Sequence, residues 1–319
     1  MHQRNSVPFR SHILTKKEFF SISEVLYTYY STRNTLTRIH QKSADLRHVV
    51  QTALERNRKK YDLQSKQLKG TEKRDKYKVY GELINTYGYN LEPGSKELTA
   101  LNYYTNEEIT IPLDPTQTPG ENAQRYFAKY NKQKRTFEAL TELIQETADD
   151  IQYLESISNA LDIALNEADL AQIKEELMQS GYIRRKHTKK KVKLTSKPMH
   201  YISSDGYDMY VGKNNLQNEE LTFSFANGND WWFHAKGAPG SHVIVKSGGD
   251  ELPDRTFEEA GRLAAYYSKN RGADKVEIDY IQKKHVKKPN GAKPGFVVYY
   301  TNYSLVIDSD ISNIKNVQD

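Results

Sequence analysis

Residues Phe137–Ala168 read FEALTELIQETADDIQYLESISNALDIALNEA. Phe137, Leu140, Ile144, Thr147, Ile151, Leu154, Ser158, Leu161, Leu165 and Ala168 recur there in alternating steps of three and four. That spacing keeps one stripe on a single helix face and defines a heptad seam, which needs a partner helix. The partner lies upstream. From Glu18 to about Tyr80 no proline interrupts a second helical pattern. Phe19, Ile22, Leu26 and Tyr29 share one face, and Leu36, Ile39, Leu46, Val50 and Ala53 extend it, with Ser43 filling the gap. A chain that reverses on itself holds both segments at high effective concentration. The expectation is therefore an internal antiparallel coiled-coil hairpin, with association between copies through the same seams as the alternative. Helices of about 45–60 residues would span roughly 70–90 Å.

Between the helices the character changes. Leu98, Ala100, Asn102 and Tyr104 alternate, as do Ile109, Ile111 and Leu113, and Pro93-Gly94, Pro115 and Pro119-Gly120 punctuate the segment. This reads as a small module with a β-hairpin turning at Asn106-Glu107. Beyond Gly181 comes a basic run, then short strands at 200–202, 209–211, 231–235, 243–246, 276–281, 296–300 and 304–307, with a helix at 257–269. Their order favours α+β over a doubly wound sheet. The fold class expected is α+β, partitioned as an N-terminal remnant (1–17), a first coiled-coil helix (18–85), a tip module (86–120), a second coiled-coil helix (121–181), a basic linker (182–197) and a mixed domain (198–319).

Composition narrows the function. With 28% charged and 37% hydrophobic residues, the chain is too polar for one large core and fits long exposed helices beside a smaller globule. Cysteine is absent, which removes disulfides, thiolate metal sites and thiol nucleophiles and fits a reducing compartment. Met1–Lys17 lacks an apolar core of signal-peptide length, and no run is long enough to span a membrane. The expected location is the cytoplasm. A net charge of +6 biases the chain mildly towards polyanions. Arg184–Lys197 carries eight cations and no acid, and Lys283–Lys293 forms a second cluster. Positive charge is expected to concentrate towards the C-terminal domain.

Three segments of that domain carry the candidate contacts. Asn229–Val243 holds both tryptophans, two histidines, a lysine and a Gly-Pro-Gly turn. On a strand Trp231, Phe233 and Ala235 face one way, and Trp232, His234 and Lys236 the other. Aromatic faces stack on unpaired bases, and Lys or His meets phosphate; a core strand whose tryptophans pack explains the apolar side equally well. His234, Lys236, Ser241 and His242 are harder to place in a core. Gly212–Asn218 reads as a polar loop offering Lys213, Asn214 and Asn215, and an amide-rich turn accounts for it at least as well. The third segment presents Lys287, Lys288 and Lys293. A Ser241–His242 hydrolase is disfavoured because neighbours on a strand point apart. His234 and His242 lack a third metal ligand at a recognisable spacing. No G-x-G-x-x-G or P-loop is present. The expectation is a binding protein without catalytic residues, metal or cofactor.

Taken together, Lys213-Asn214-Asn215 with Gln217-Asn218, Asp230–Lys236, Pro239–His242, and His285–Pro289 with Gly291–Gly295 resemble the C-terminal NFACT-R domain of the NFACT family. Leu113-Asp114-Pro115 and Asn122–Phe127 resemble the family's middle coiled-coil region, so the likeness runs from about residue 18 onward. The resemblance implies a role in ribosome-associated quality control. It implies binding to obstructed large ribosomal subunits, ribosomal RNA and tRNA, in support of alanine tailing of stalled chains. It also offers an alternative: an atypical, virulence-associated adhesin that binds host fibronectin after non-classical export to the cell surface. Family members begin with an NFACT-N domain and a helix-hairpin-helix region that this sequence does not display. A C-terminal half cut at a domain boundary is therefore expected. The RNA contacts expected on this basis are Lys213, Asn214, Asn215, Trp232, His234, Lys236, Ser241, His242, Lys287, Lys288 and Lys293.

Overall fold

The computed structural model describes residues 21–184 and 196–317. The expected N-terminal remnant, Phe19 and most of the basic linker lie outside these residues. In chain order the elements are α1 (Ile22–Lys42), α2 (Ala44–Gly70), α3 (Asp75–Tyr87), β1 (Glu97–Asn102), β2 (Glu107–Pro112), α4 (Pro119–Ile163), α5 (Glu167–Gln179), β3 (Met199–Ile202), β4 (Asp208–Val211), α6 (Asn215–Glu220), β5 (Trp231–Ala235), β6 (Val243–Val245), α7 (Asp254–Tyr266), β7 (Val276–Gln282), β8 (Tyr303–Ile307) and β9 (Lys315–Asn316). The mixed helix-and-sheet class matches the expectation. Two compact units result: Leu54–Gln152, and Met1–Ala53 with Tyr153–Asp319.

In Leu54–Gln152 the seam residues Leu140 and Thr147 are buried, and Thr147 Oγ1 donates to Gln64 Oε1 at 3.0 Å. Arg74 lies 3.9 Å over the Phe137 ring and Lys129 4.3 Å over Tyr77, so partner numbers fall as the first strand of the pair rises and the helices run antiparallel. The first helix is not continuous to Tyr80. It stops at Gly70, where glycine lowers helix propensity and Thr71 Oγ1 bonds back to Leu68 O at 2.6 Å. A 3-10 turn, Glu72–Arg74, then leads into α3. The β1–β2 hairpin pairs Asn102 with Glu107 around Tyr103–Asn106, and Asn106 takes φ 56°. Leu98, Ala100, Ile111 and Leu113 pack with Leu83, Ile84, Ala123 and Tyr126. The Leu113-Asp114-Pro115 motif is held by Asn122, whose side chain accepts from Asp114 N at 2.8 Å and donates to Asp114 O, Gln117 O and Thr118 O.

In the other unit Lys42 meets Glu167 at 2.6 Å and Arg47 meets Asp162 at 2.5 Å, again antiparallel. Ile39, Ser43, Leu46 and Val50 are buried, whereas Ile22, Leu26 and Tyr29 are exposed. The second helix breaks after Ile163. Asn166 caps α5 through a reciprocal capping box with Asp169, and Leu165 turns outward, 48% exposed.

The sheet is antiparallel throughout, in the order β8-β7-β5-β6-β4-β3-β9. One face packs Met199, Met209, Phe233, Val243 and Ile278 against Leu263 and Ala264 of α7. A Cβ at Gly261 would sit 2.9 Å from Leu305 Cδ1, so glycine lets α7 approach β8. The opposite face buries Trp232, Ile244, Ile281 and Val286 with Leu221. The strand expected at 296–300 reduces to one bridge, Lys287 to Val298, because Gly295 at φ 78° turns the chain just before it. Helix α6 replaces an expected loop because Asn214 Oδ1 accepts from Gln217 N at 3.0 Å and caps it.

Candidate nucleic-acid interface

The three candidate segments meet around Asn218. Its Nδ2 donates to Gly240 O at 3.3 Å and its Oδ1 accepts from His242 N at 3.0 Å, tying α6 to the turn after β5. Glu219 accepts from Lys288 Nζ at 2.7 Å and from Gly295 N at 3.2 Å, tying α6 to the basic loop. A Cβ on Gly295 would approach Asn215 Cβ to 3.0 Å, so the loop lies directly against α6. The sequence therefore places three separated motifs in one assembly. Asn218 and Glu219, absent from the expected contacts, are its joints.

Several expected contacts prove internal. Lys213 Nζ lies 2.6 Å from Asp169 Oδ1, with both side chains buried. Asn214 Nδ2 donates to Gln172 Oε1 at 2.8 Å, and Asn215 Nδ2 donates to Glu176 Oε1 and Ser156 Oγ, each at 2.8 Å. Asp169, Gln172 and Glu176 lie on one face of α5 and occupy the donors that RNA would need. Their three- and four-residue spacing is visible in the sequence as a polar stripe that follows directly on the heptad seam. Burial pushes the Glu176 carboxyl up to about 7, and its Oε2 has no partner among the described residues.

Trp232 is fully buried, so it stacks inside the protein and offers no face to a base. It lies 5.6 Å from His234 and 5.1 Å from His242, ring centre to ring centre, and 5.0 Å from Tyr299. Trp231 turns to the other face against Phe257. Desolvation pushes His234 down to about 4 and His242 well below its ordinary value. Burial thus favours the neutral imidazole at both positions. His242 Nδ1 meets Thr222 Oγ1 at 2.8 Å, while Ser241, 1% exposed, has no hydrogen-bond partner for Oγ among the described residues. Ser241 and His242 therefore do not bond to one another. These two, with Lys213, Asn214, Asn215 and Trp232, build the frame beneath the surface, whereas His234 is half-buried at its edge.

The cations nearer the surface differ in kind. Lys236 is exposed and pairs with Glu277 at 2.5 Å. Lys288 is held by Glu219. Lys293 Nζ lies 4.7 Å over the Tyr153 ring and 5.9 Å over Tyr182. Lys287 is exposed, and its backbone is fixed by two hydrogen bonds to Val298, at 2.9 and 2.8 Å. The net positive charge does lie towards this end of the chain, but its excess comes from the Arg184–Lys197 run, mostly outside the described residues: 198–319 alone hold 14 Lys and Arg against 16 Asp and Glu. Among the described residues no group of three or more His, Asp or Glu is placed to hold a metal ion. No described helix is long and apolar enough to cross a membrane.

A helical region with an inserted β-hairpin, followed by an antiparallel sheet domain whose polar loops are framed on a buried network, defines an α+β protein of the coiled-coil-plus-binding-domain class. Residues 3–196 match the model for NFACT N-terminal and middle domains, and residues 197–300 match the model for the NFACT protein RNA binding domain. The chain belongs to the NFACT family. The first of these models takes in the helical region where the sequence alone suggests only a middle region. A Streptococcus pneumoniae (serotype 2, strain D39) protein named "Rqc2 homolog RqcH" is 40% identical over 313 residues, covering 98% of this chain and 56% of its own length. A Bacillus subtilis (strain 168) protein of the same name is 38% identical over 305 residues, or 93% and 53%. The chain thus spans about half the length of the curated relatives it matches. The structure of the C-terminal of the fibronectin/fibrinogen-binding protein from Streptococcus suis is similar, with TM-score 0.69 and 37% identity over 88% of this chain and 99% of that one.

Proposed function

We propose that this chain is the RNA- and large-subunit-binding part of a cytoplasmic ribosome quality-control factor. It would bind obstructed large subunits and tRNA in support of alanine tailing, and act by binding, with no reaction of its own. The observation that carries this reading is the match of residues 197–300 to an RNA-binding domain, in a chain 40% identical to a quality-control homologue over nearly its whole length. The geometry supports it: a polar frame presents Lys287 and Lys288 on a backbone-fixed loop. The test is co-sedimentation with purified large ribosomal subunits across a salt titration, beside immobilised fibronectin in the same buffers. Saturable subunit binding that weakens along a log-salt line is expected. Absence of saturable binding at low salt would overturn the reading. The likeness to the Streptococcus suis fibronectin/fibrinogen-binding protein favours one second reading, fibronectin binding. Salt-resistant, saturable fibronectin capture without subunit binding would make that primary.

A further inference from the structure

Strand β8 is a sheet edge without the usual protection. It ends the strand order, and its sequence, YSLVI, holds no charge, no proline and no bulge, the features that keep an edge from pairing with another chain. Strand geometry fixes which groups it offers. Lys236 N donates to Glu277 O and Lys283 N to Asp230 O, so Glu277, Asp279 and Ile281 direct their backbone groups from β7 towards β5. Ile278 and Tyr280 therefore direct theirs towards β8, and the residues opposite them, Leu305 and Tyr303, bond inward. Ser304 and Val306 are left with N–H and C=O groups pointing away from the sheet, and no backbone bond reaches them among the described residues. Val306 is 61% exposed on one face of the strand and Tyr303 60% on the other. Tyr303 continues an aromatic ledge. Its ring stacks on Tyr280 at 5.5 Å and lies 6.5 Å from Trp231, and Phe257 backs Trp231 at 4.8 Å. Trp231, Tyr280 and Phe257 are half-buried, so the ledge is open to solvent. Its rim is acidic. Residues 250–262 carry five acids against Arg255 and Arg262, and both bases are already paired, Arg255 with Glu259 and Arg262 with Asp308. Asp250, Glu251, Asp254 and Glu258 are exposed. Burial, with the Tyr303 and Asp254 charges, holds the Tyr280 phenol above its ordinary value, which places the Asp254 carboxylate beside the ledge.

We propose that β8 and this ledge form a docking site for an extended basic segment of a protein partner, added to the sheet as a further strand. Such a strand bonds to the outward groups of Ser304 and Val306 and alternates its side chains between the two faces. Side chains on the α7 side meet Tyr303, Tyr280 and Trp231 with carboxylates at the rim. That arrangement takes Arg or Lys through cation–π contact and charge together. Side chains on the other side meet Val306 and are best apolar. The acids disfavour the other occupants of an open edge: RNA phosphate is repelled, and a second copy paired through β8 brings two acidic rims together. Strand β8 also lies outside residues 197–300, to which the RNA-binding domain model is confined.

The test uses the full chain and a fluorescein-labelled peptide of about six residues alternating Arg and Val, the length of a typical strand. Binding is read by anisotropy at about 150 mM salt, where attraction between distant charges is screened. Two controls accompany it: a peptide of the same composition with Arg and Val in separate blocks, and one with Glu in place of Arg. Saturable binding of the alternating peptide is expected, with each control about ten-fold weaker or more. Val306→Pro removes an outward N–H while leaving the bonds to β7, and should weaken binding about ten-fold. Tyr303→Ala removes the exposed ring and should weaken it about three- to ten-fold. Val306→Lys, a change at an exposed position, repels the peptide and decides the matter if the proline variant unfolds in tryptophan-fluorescence melts. Unchanged peptide affinity in folded V306K and Y303A overturns the site, and so does no binding by the wild-type chain. Equal binding of the block peptide reduces the interaction to charge and overturns the added strand. Loss of RNA-duplex affinity in these variants, with peptide affinity unchanged, assigns the surface to RNA instead. Self-association of the wild-type chain that V306K abolishes, without peptide binding, assigns the edge to a second copy. The co-sedimentation result with large subunits is independent of all these outcomes.

Discussion

Asp169→Ala is the substitution with the largest consequence that the structure specifies. The carboxylate is fully buried and accepts four hydrogen bonds: from Lys213 Nζ and Ser196 Oγ at 2.6 Å each, from Leu165 N at 2.9 Å and from Asn166 N at 3.3 Å. Removing it strands the Lys213 ammonium in the interior. A broken buried pair costs about 3–5 kcal/mol, and the lost cap of α5 adds about 1 kcal/mol. Lys213→Met alone leaves a buried carboxylate with three remaining donors and should cost about 3 kcal/mol. The double variant removes both charges together, so its loss should fall to about 1–2 kcal/mol, the cap and the Ser196 bond. The assay is urea unfolding followed by tryptophan fluorescence, because both tryptophans, Trp231 and Trp232, lie on β5 and report the sheet domain. With m of about 1–3 kcal/mol per molar, Asp169→Ala should lower the midpoint by about 2 M. A shift below about 0.5 M, or a double variant as damaged as the sum of the singles, would refute the buried-pair reasoning.

Three further outcomes follow from the same frame. Glu176 has its carboxyl raised from the ordinary 4.5 to about 7, so between those values the folded state holds a proton that the unfolded state has released. Stability should therefore fall as pH rises from about 4.5 through 7, by about 3 kcal/mol for this group, and E176Q should flatten that dependence and exceed wild type at pH about 8 in urea midpoints. Gly212→Ala would set its Cβ 2.2 Å from Asn218 Oδ1 and break the bond to His242 N, so tryptophan-detected stability should drop by about 2 kcal/mol or more. K287A/K288A should leave the melting temperature within a few degrees and reduce the salt slope of RNA binding by about 2; an unchanged slope removes this loop from the RNA surface.

What the sequence makes legible follows from where the periodic signal is undiluted. Phe137 to Leu161 keep their seam because every third or fourth residue is apolar or a small hydroxyl, and the β1–β2 hairpin follows its alternation from Leu98 to Leu113. The assignment of Trp231 and Trp232 to opposite faces is also recovered, since a strand's period of two leaves no choice. The helix breaks at Gly70 and Asn166 are set by side-chain bonds to the backbone, which compete with the helix locally and leave the apolar pattern unchanged. The site is legible as motifs but not as exposure. Lys213, Asn214 and Asn215 look like ligand contacts because they are polar, and only the facing stripe Asp169, Gln172 and Glu176, about forty residues upstream in sequence, satisfies them inside the fold.

That arrangement separates two kinds of polar residue in the domain. A buried polar network of this size contributes little net stability compared with an apolar contact of the same area, but it admits one geometry, because any slip leaves a donor or a charge unpaired. Here the geometry fixed is that of two loops: Gly240 and His242 through Asn218, and Lys288 and Gly295 through Glu219. On the proposed reading, phosphate arriving at Lys288 would have to displace Glu219, so the carboxylate that positions the loop would also set a threshold for a polyanion there. The sheet domain, with more acids than bases, offers little long-range attraction to a polyanion. Substitutions in the frame should move unfolding midpoints, and Glu219→Gln should strengthen RNA binding at the loop while loosening its backbone. The physical basis is that an ion pair within the protein and a contact to phosphate compete for the same ammonium group.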